Sequence, residues 1–158
     1  MGAGHQALRK GRWSLPGQLY LLTFATVRRQ PHFLDWNIAS DTARLMAGSK
    51  AWMDSRLLAW TLMPDHWHGL VELGSGAALA KCVRQLKGAS TRALRQRHPC
   101  LGDVWARGYH DRAIRRDEDL DAVARYLVMN PVRAGLVKRA GDYPYWDAVW
   151  LDTARARG

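Results

Sequence analysis

Two apolar runs, LLAWTLM at 57–63 and HWHGLVEL at 66–73, are separated only by Pro64 and Asp65. Proline has no N–H to give to a central ladder, so the pair marks a sharp bend between two short strands. A third run, QLYLLTFATV at 18–27, follows a Pro-Gly turn at Pro16 and Gly17 and is rich in the β-branched and aromatic residues of a buried strand. Between these runs the apolar period changes. Ile38, Thr42, Leu45, Met46 and Met53 fall near one helical face over 36–54, and Leu79, Val83, Leu86 and Leu94 do so over 78–98. DVWAR and YHDRAIR, broken at Gly108, suit two further strands or a bent one. RRDEDLDAVARYLVMNP then starts a helix behind acidic capping residues, with Pro131 as its stop. The order β, α, β, β, α, β(β), α predicts an α+β fold, a ferredoxin-like antiparallel sheet with helices on one side.

The 158 residues suit a single domain spanning 1–158, and 47% hydrophobic content is enough for a core. Residues 1–10 and the basic tail at 152–158 are the segments expected to be flexible. Eight Trp and five Tyr argue against disorder. The formal net charge of +10 creates a field that attracts polyanions, nucleic acid before membrane. No apolar run reaches the ~18–20 residues of a spanning helix, and MGAGHQALRKGRW lacks the apolar core of a signal peptide, so a cytoplasmic location is expected. Cys82 and Cys100 are too few and too far apart for a zinc knuckle and read as reduced packing residues.

His66 and His68 are one residue apart, and alternate side chains on a strand leave the same face, so both imidazoles project together. Two nitrogens can then grip one cation, while Trp67, Gly69 and Val71 face packing. The competing reading is a pair of ordinary surface or hydrogen-bonded histidines. Tyr126 and Asn130 lie four apart in the last helix, on the flank of a stripe made by Leu120, Val123, Ala124 and Leu127. The competing reading there is a packing tyrosine followed by an asparagine cap. A tyrosine hydroxyl can form a stable phosphodiester link, and two histidines with an amide oxygen leave positions open on a divalent ion that polarises phosphate. Mg²⁺ or Mn²⁺ fits this set best; Zn²⁺ is also compatible. Asp65 and Glu72 are possible additional ligands or plain turn and strand residues.

For polyanion contact the candidates are Arg9, Lys10 and Arg12 beside Trp13, the helix face of Lys81, Arg84, Lys87, Arg92 and Arg95, and Arg133. Trp13 is the best stacking candidate; Trp52, Trp60 and Trp105 are expected in the core.

The chain resembles the REP-associated tyrosine transposases, relatives of the single-tyrosine insertion-sequence transposases with an HUH nuclease fold. Five segments carry the resemblance: GRWSLPGQLYLLT, MPDHWHGLVEL, LKGASTRALR, VWARGYHDRAIR and YLVMNPVRAGLV. Asp65 stands where such proteins often have Asn, and Trp67 is bulkier than the usual residue. The resemblance implies metal ligands at His66, His68 and Asn130, and a nucleophile at Tyr126 that forms a 5′-phosphotyrosine and leaves a free 3′-hydroxyl. It further implies cleavage and rejoining of single-stranded DNA at hairpin-forming repetitive extragenic palindromes flanked by a GTAG-like tetranucleotide, with a monomer as the expected state. A hairpin-binding module that does not cut would keep the basic face without needing His66, His68, Tyr126 and Asn130 together. A small metal-dependent hydrolase explains least of the chain.

Overall fold

The computed structural model describes residues 17–149 apart from 77, 116 and 117. The expected flexible segments at 1–10 and 152–158, and Arg9, Lys10, Arg12 and Trp13, lie outside the described residues. Among the described residues there are five strands: β1 (Leu19–Ala25), β2 (Arg56–Met63), β3 (His66–Glu72), β4 (His110–Ala113) and β5 (Trp146–Ala148). The helices are α1 (Trp36–Ala47), α2 (Leu79–Arg97), α3 (Leu120–Val128) and the single turn α4 (Asn130–Arg133). The sheet order is β4-β1-β3-β2-β5, and every neighbouring pair is antiparallel. The first four strands with α1 and α2 follow the βαββαβ path of a ferredoxin-like unit. β5 extends the β2 edge; its three residues are too short for an alternation to be read.

The antiparallel α+β class is as expected, with one correction to the placement of helices. α1 and α2 pack on one face of the sheet, but α3 packs on the other. Residues Tyr20, Leu22 and Phe24 of β1 join Ala39, Met46, Val83 and Leu86 in the larger core. Leu19 and Leu21, in the opposite phase of the same strand, join Leu70, Ile114, Ala124 and Leu127 in a second core. The cause is visible in β1 itself. LYLLTFA is apolar in both phases, and a strand apolar on both sides needs cover on both.

Trp67 anchors the larger core. It is fully buried, stacks on Phe24 with ring centroids 5.0 Å apart, and lies 5.9 Å from Trp52. Its ring folds back over Gly69, where an added Cβ would fall 2.1 Å from Trp67 Cη2. Glycine at 69 is therefore a steric requirement of the tryptophan two residues earlier. Trp52, Trp60 and Trp105 are buried as expected.

Three local expectations change. α1 begins on the Asp35 cap, whose carboxylate accepts from the Asn37 and Ile38 N–H groups, but it ends at Gly48 instead of running to residue 54. Ser49 then caps a 3-10 turn that swings Trp52 inward, its indole N–H donating to the Met46 carbonyl at 2.7 Å. DVWAR forms only an isolated bridge, Thr26 to Trp105, flanked by the Val27 N–H donating to the Val104 carbonyl and the Ala106 N–H donating to the Ala25 carbonyl, while the carbonyls of Ala106 and of Gly108 just beyond accept from the Lys87 ammonium. Cys82 is buried and its thiol donates to the Ala51 carbonyl, whereas Cys100 is exposed and packs against no core. Among the described residues no helix is long and apolar enough to cross a membrane.

Candidate functional site

β3 lies between β1 and β2, so His66 and His68 stand on an inner strand whose backbone is held on both sides. They share a face with Leu70, the α3 face, while Trp67 and Val71 point into the other core. The imidazole centroids are 4.4 Å apart with ring planes at 83°. The paired projection expected from alternation is thus present. Nδ1 of His66 lies 2.6 Å from Asp65 Oδ1, and Asp65 Oδ2 lies 3.1 Å from Arg29 Nε. Nδ1 of His68 lies 2.8 Å from the Thr23 hydroxyl. With both Nδ1 atoms engaged, Nε2 is the nitrogen each ring has to offer a cation.

Burial pushes both histidines below their ordinary pKa, His68 to about 3 with further lowering by His66, Arg29 and Arg133. For His66 the neighbouring Asp65 opposes part of this effect. Both rings are therefore held neutral at physiological pH, the form in which imidazole binds metal. The same shift has a consequence for stability. Below the unfolded pKa of about 6.5 the unfolded chain binds protons that the folded chain refuses, so stability falls as pH drops from there toward 3. In metal-free protein the melting temperature is expected to decline between pH 7 and pH 5; a flat profile over that range would contradict neutral buried rings.

His68 pairs in register with Thr23 on β1 and Thr61 on β2. The two threonines divide the work. Thr23 meets the imidazole, and the buried Thr61 hydroxyl donates to the Leu127 carbonyl at 3.1 Å. Pro131 cannot donate to that carbonyl, four residues back, because it has no N–H. Thr61 thereby ties the His68 register to the last turn of α3, which carries Tyr126.

Tyr126 is 64% exposed. The Arg133 guanidinium carbon lies 3.6 Å from its ring centroid, a cation–π stack. The charge of Arg133 also lowers the pKa of His68, so one side chain both stacks on the tyrosine and acts on the second histidine. Asn130 is half-buried at the first position of α4. Here the expected single helix is corrected. α3 ends at Val128, Met129 intervenes, and Pro131 sits in the first turn of α4, where a missing N–H is harmless. Tyr126 and Asn130 are thus on successive helical pieces.

Among the described residues no group of three or more His, Cys, Asp or Glu could hold a metal ion. Two neutral imidazoles on one face are a donor pair that suits a divalent cation when oxygen of another kind completes the set. Glu72 is no part of it: it sits at the far end of β3 and pairs with Arg56. Asp65 is engaged with His66 and Arg29.

The basic face of α2 lies on the other side of the sheet from the histidines. Lys81, Arg84, Arg92 and Arg95 are exposed there, but Arg95 is paired with Asp103 at 2.6 Å. Lys87 is not a solvated charge either; it binds the Ala106 and Gly108 carbonyls and lies 5.6 Å from the centroid of the Phe24 ring. A groove of about 550 Å³ opens between α2 and the 105–109 loop, lined by Arg84, Lys87, Arg92, Trp105, Arg107 and Tyr109. Sequence reasoning missed Arg107 and Tyr109, because their segment was expected to be strand. It also missed Thr23, Thr61 and Arg29, which carry no motif and matter only through register and loop contact.

An antiparallel α+β domain with a paired-histidine inner strand, and a tyrosine helix docked on the same face, is the class that fold and site define. The family model described as Transposase IS200 like matches residues 16–130, and the chain belongs to that family. Among relatives, the REP-associated tyrosine transposase of Escherichia coli (strain K12) is 30% identical over 89 residues, 55% of this chain and 50% of that protein. A Haemophilus influenzae relative is 32% identical over 99 residues, 56% of each chain. The chain thus spans about half the length of these relatives. A solved structure of a REP-associated tyrosine transposase bound to a REP hairpin superposes with a TM-score of 0.74 at 24% identity, covering 92% of this chain and 84% of the other.

Proposed function

We propose that this chain is a metal-dependent single-stranded DNA endonuclease and strand transferase, acting as a monomer at hairpin-forming repetitive extragenic palindromes. The observation that carries the reading is the join between β3 and α3: paired neutral imidazoles, and a tyrosine-bearing helix pinned to the His68 register by Thr61 within one chain. The names of the relatives, and a similar fold solved with a hairpin, support the choice of substrate.

His66, His68 and Asn130 would hold Mg²⁺ or Mn²⁺, which when bound polarises a nonbridging phosphate oxygen. Tyr126 Oη attacks the phosphorus. The new bond is phosphotyrosine to the 5′ side, the bond broken is to the 3′ oxygen, the phenolic proton passes to solvent, and the leaving oxygen is protonated as a free 3′-hydroxyl. Attack of a 3′-hydroxyl on the phosphotyrosine reverses the exchange and rejoins a strand. Arg133, stacked on the Tyr126 ring, keeps positive charge beside the phosphate being transferred. Burial holds the His66 and His68 rings neutral, and Thr61 holds the tyrosine turn to their strand.

The test mixes purified chain, a labelled hairpin with a single-stranded flank and Mg²⁺ or Mn²⁺, then maps the protein-linked product by mass spectrometry. A covalent product on Tyr126 is expected. Tight hairpin binding with no adduct under either ion would make the chain a binding module.

Affinity should depend on the α2 groove. Arg84, Arg92 and Arg107 have no acidic partner among the described residues, and Trp105 and Tyr109 line the same groove, so it suits phosphates with unpaired bases. Arg133 and Lys81 are further contact candidates, and Arg9, Lys10, Arg12 and Trp13 belong to the same proposal. Binding should weaken steeply from 50 to 200 mM salt. The double variant Arg84→Glu, Arg92→Glu should lower the log–log salt slope by roughly 1–2, with Mn²⁺ affinity unchanged. Fluorescence anisotropy across that range checks this; an unaltered slope would move the DNA off α2.

A further inference from the structure

The turn that joins β2 to β3 is strapped from one side by the segment following β1. The Thr26 N–H donates to the Asp65 carbonyl at 2.9 Å, the Thr26 hydroxyl shares its one hydrogen between the carbonyls of Gln30 at 2.8 Å and Asp65 at 3.0 Å, and the Phe33 N–H donates to the Pro64 carbonyl at 3.0 Å. In the same segment Arg28 and Arg29 both have left-handed backbones, with φ of 54° and 55°. Consecutive non-glycine residues in that region are costly and persist only where surrounding contacts hold them. One such contact is the Arg29–Asp65 ion pair. Asp65 is thus held by its backbone through Thr26 and by one carboxylate oxygen through Arg29, leaving the other oxygen 2.6 Å from His66 Nδ1.

A carboxylate only accepts, so the hydrogen in that contact belongs to His66 Nδ1, and Nε2 carries the lone pair. Thr23, opposite His68, has a hydroxyl that both donates and accepts and imposes no such choice. The two imidazoles look alike in sequence, but their partners differ in kind.

We propose that Asp65 is a positioning residue of the cation site: clamped by Arg29, it locks His66 in the Nδ1–H form and presents bare Nε2 to the ion before any ion arrives. Its role rests on the cation site proposed above, and it assigns to Asp65 a part that ligand counting does not give it, since the carboxylate acts through the ring. Asparagine at this position would accept through its oxygen but donate through its nitrogen, so it would hold the ring without enforcing the tautomer.

Two measurements on the full chain test this. Two-bond ¹H–¹⁵N correlation spectra of metal-free protein near pH 7.5 should show His66 protonated on Nδ1, unchanged by Thr23→Val and moved toward Nε2–H by Asp65→Ala. A wild-type His66 protonated on Nε2 overturns the proposal. Titration with Mn²⁺ alone, followed by electron paramagnetic resonance, should show Asp65→Ala weakened by about 10–100-fold, with Asp65→Asn recovering most of the loss and Arg29→Gln falling between wild type and Asp65→Ala. A folded Asp65→Ala that binds Mn²⁺ like wild type overturns it too. Should Asp65→Ala fail to fold, the wild-type tautomer decides the matter. A wild type that binds no Mn²⁺ instead removes the cation site of the proposed function, and the tautomer still decides what Asp65 does.

Discussion

Tyr126→Phe is expected to abolish the covalent protein–DNA product, lowering strand cleavage by on the order of 10³-fold or more, as loss of a nucleophile does. Hairpin affinity should stay within a few-fold of wild type. The side chain is 64% exposed, and the stack on Arg133 involves the ring face, which phenylalanine keeps. Only the oxygen that would become the ester is lost, so the fold and the Arg133 contact should survive. A denaturing gel with labelled hairpin reads the adduct, and anisotropy reads binding. An adduct of normal yield from the variant would place the nucleophile elsewhere and empty the site of its main claim.

Trp67→Ala is expected to destabilise the fold by about 3–5 kcal/mol, the cost of removing a large buried aromatic and leaving a cavity. Against a total stability of roughly 5–15 kcal/mol, that is enough to leave much of the protein unfolded. The site should suffer with the core. Trp67 lies between the two histidines on β3, fills the larger core against Phe24 and Trp52, and covers Gly69. Its indole N–H has no hydrogen-bond partner among the described residues, so the loss is one of packing rather than of polar contact. Urea titration would measure it; a midpoint unchanged from wild type would mean that the neighbouring rings collapse into the gap.

The two variants probe opposite sides of one strand. Tyr126 belongs to the face where polar and charged groups meet, Trp67 to the face that keeps His66 and His68 in place. The alternation H-W-H carries both meanings at once, one phase facing the site and the other the core.

Local periodicities were enough to read the strands at 19–25, 56–63 and 66–72, the long helix at 79–97, and the shared face of the histidines. Each of these depends on residues a few positions apart, where strand and helix repeats act directly. Reading failed where a partner distant in the chain intervened. DVWAR has strand-like residues, yet its Ala106 carbonyl, and that of Gly108 just beyond it, accept from Lys87. Lys87 itself reads as a surface cation until that loop arrives. Pro131 reads as a helix stop, but the chain resumes its helical path through it as α4.

By itself the amino-acid order determined the antiparallel α+β class, the paired imidazoles and the tyrosine helix, because hydrophobic period and residue chemistry are local properties. Only the tertiary structure decided that α3 covers the face opposite α1 and α2, that Thr61 joins that helix to the His68 register, and that Asp65 is clamped between Arg29 and His66. The contacts that decide these points, Thr61 with Leu127 and Arg29 with Asp65 among them, join residues tens of positions apart. They arise when both faces of a doubly apolar sheet must be shielded from water, and no short-range pattern encodes which side chains then meet.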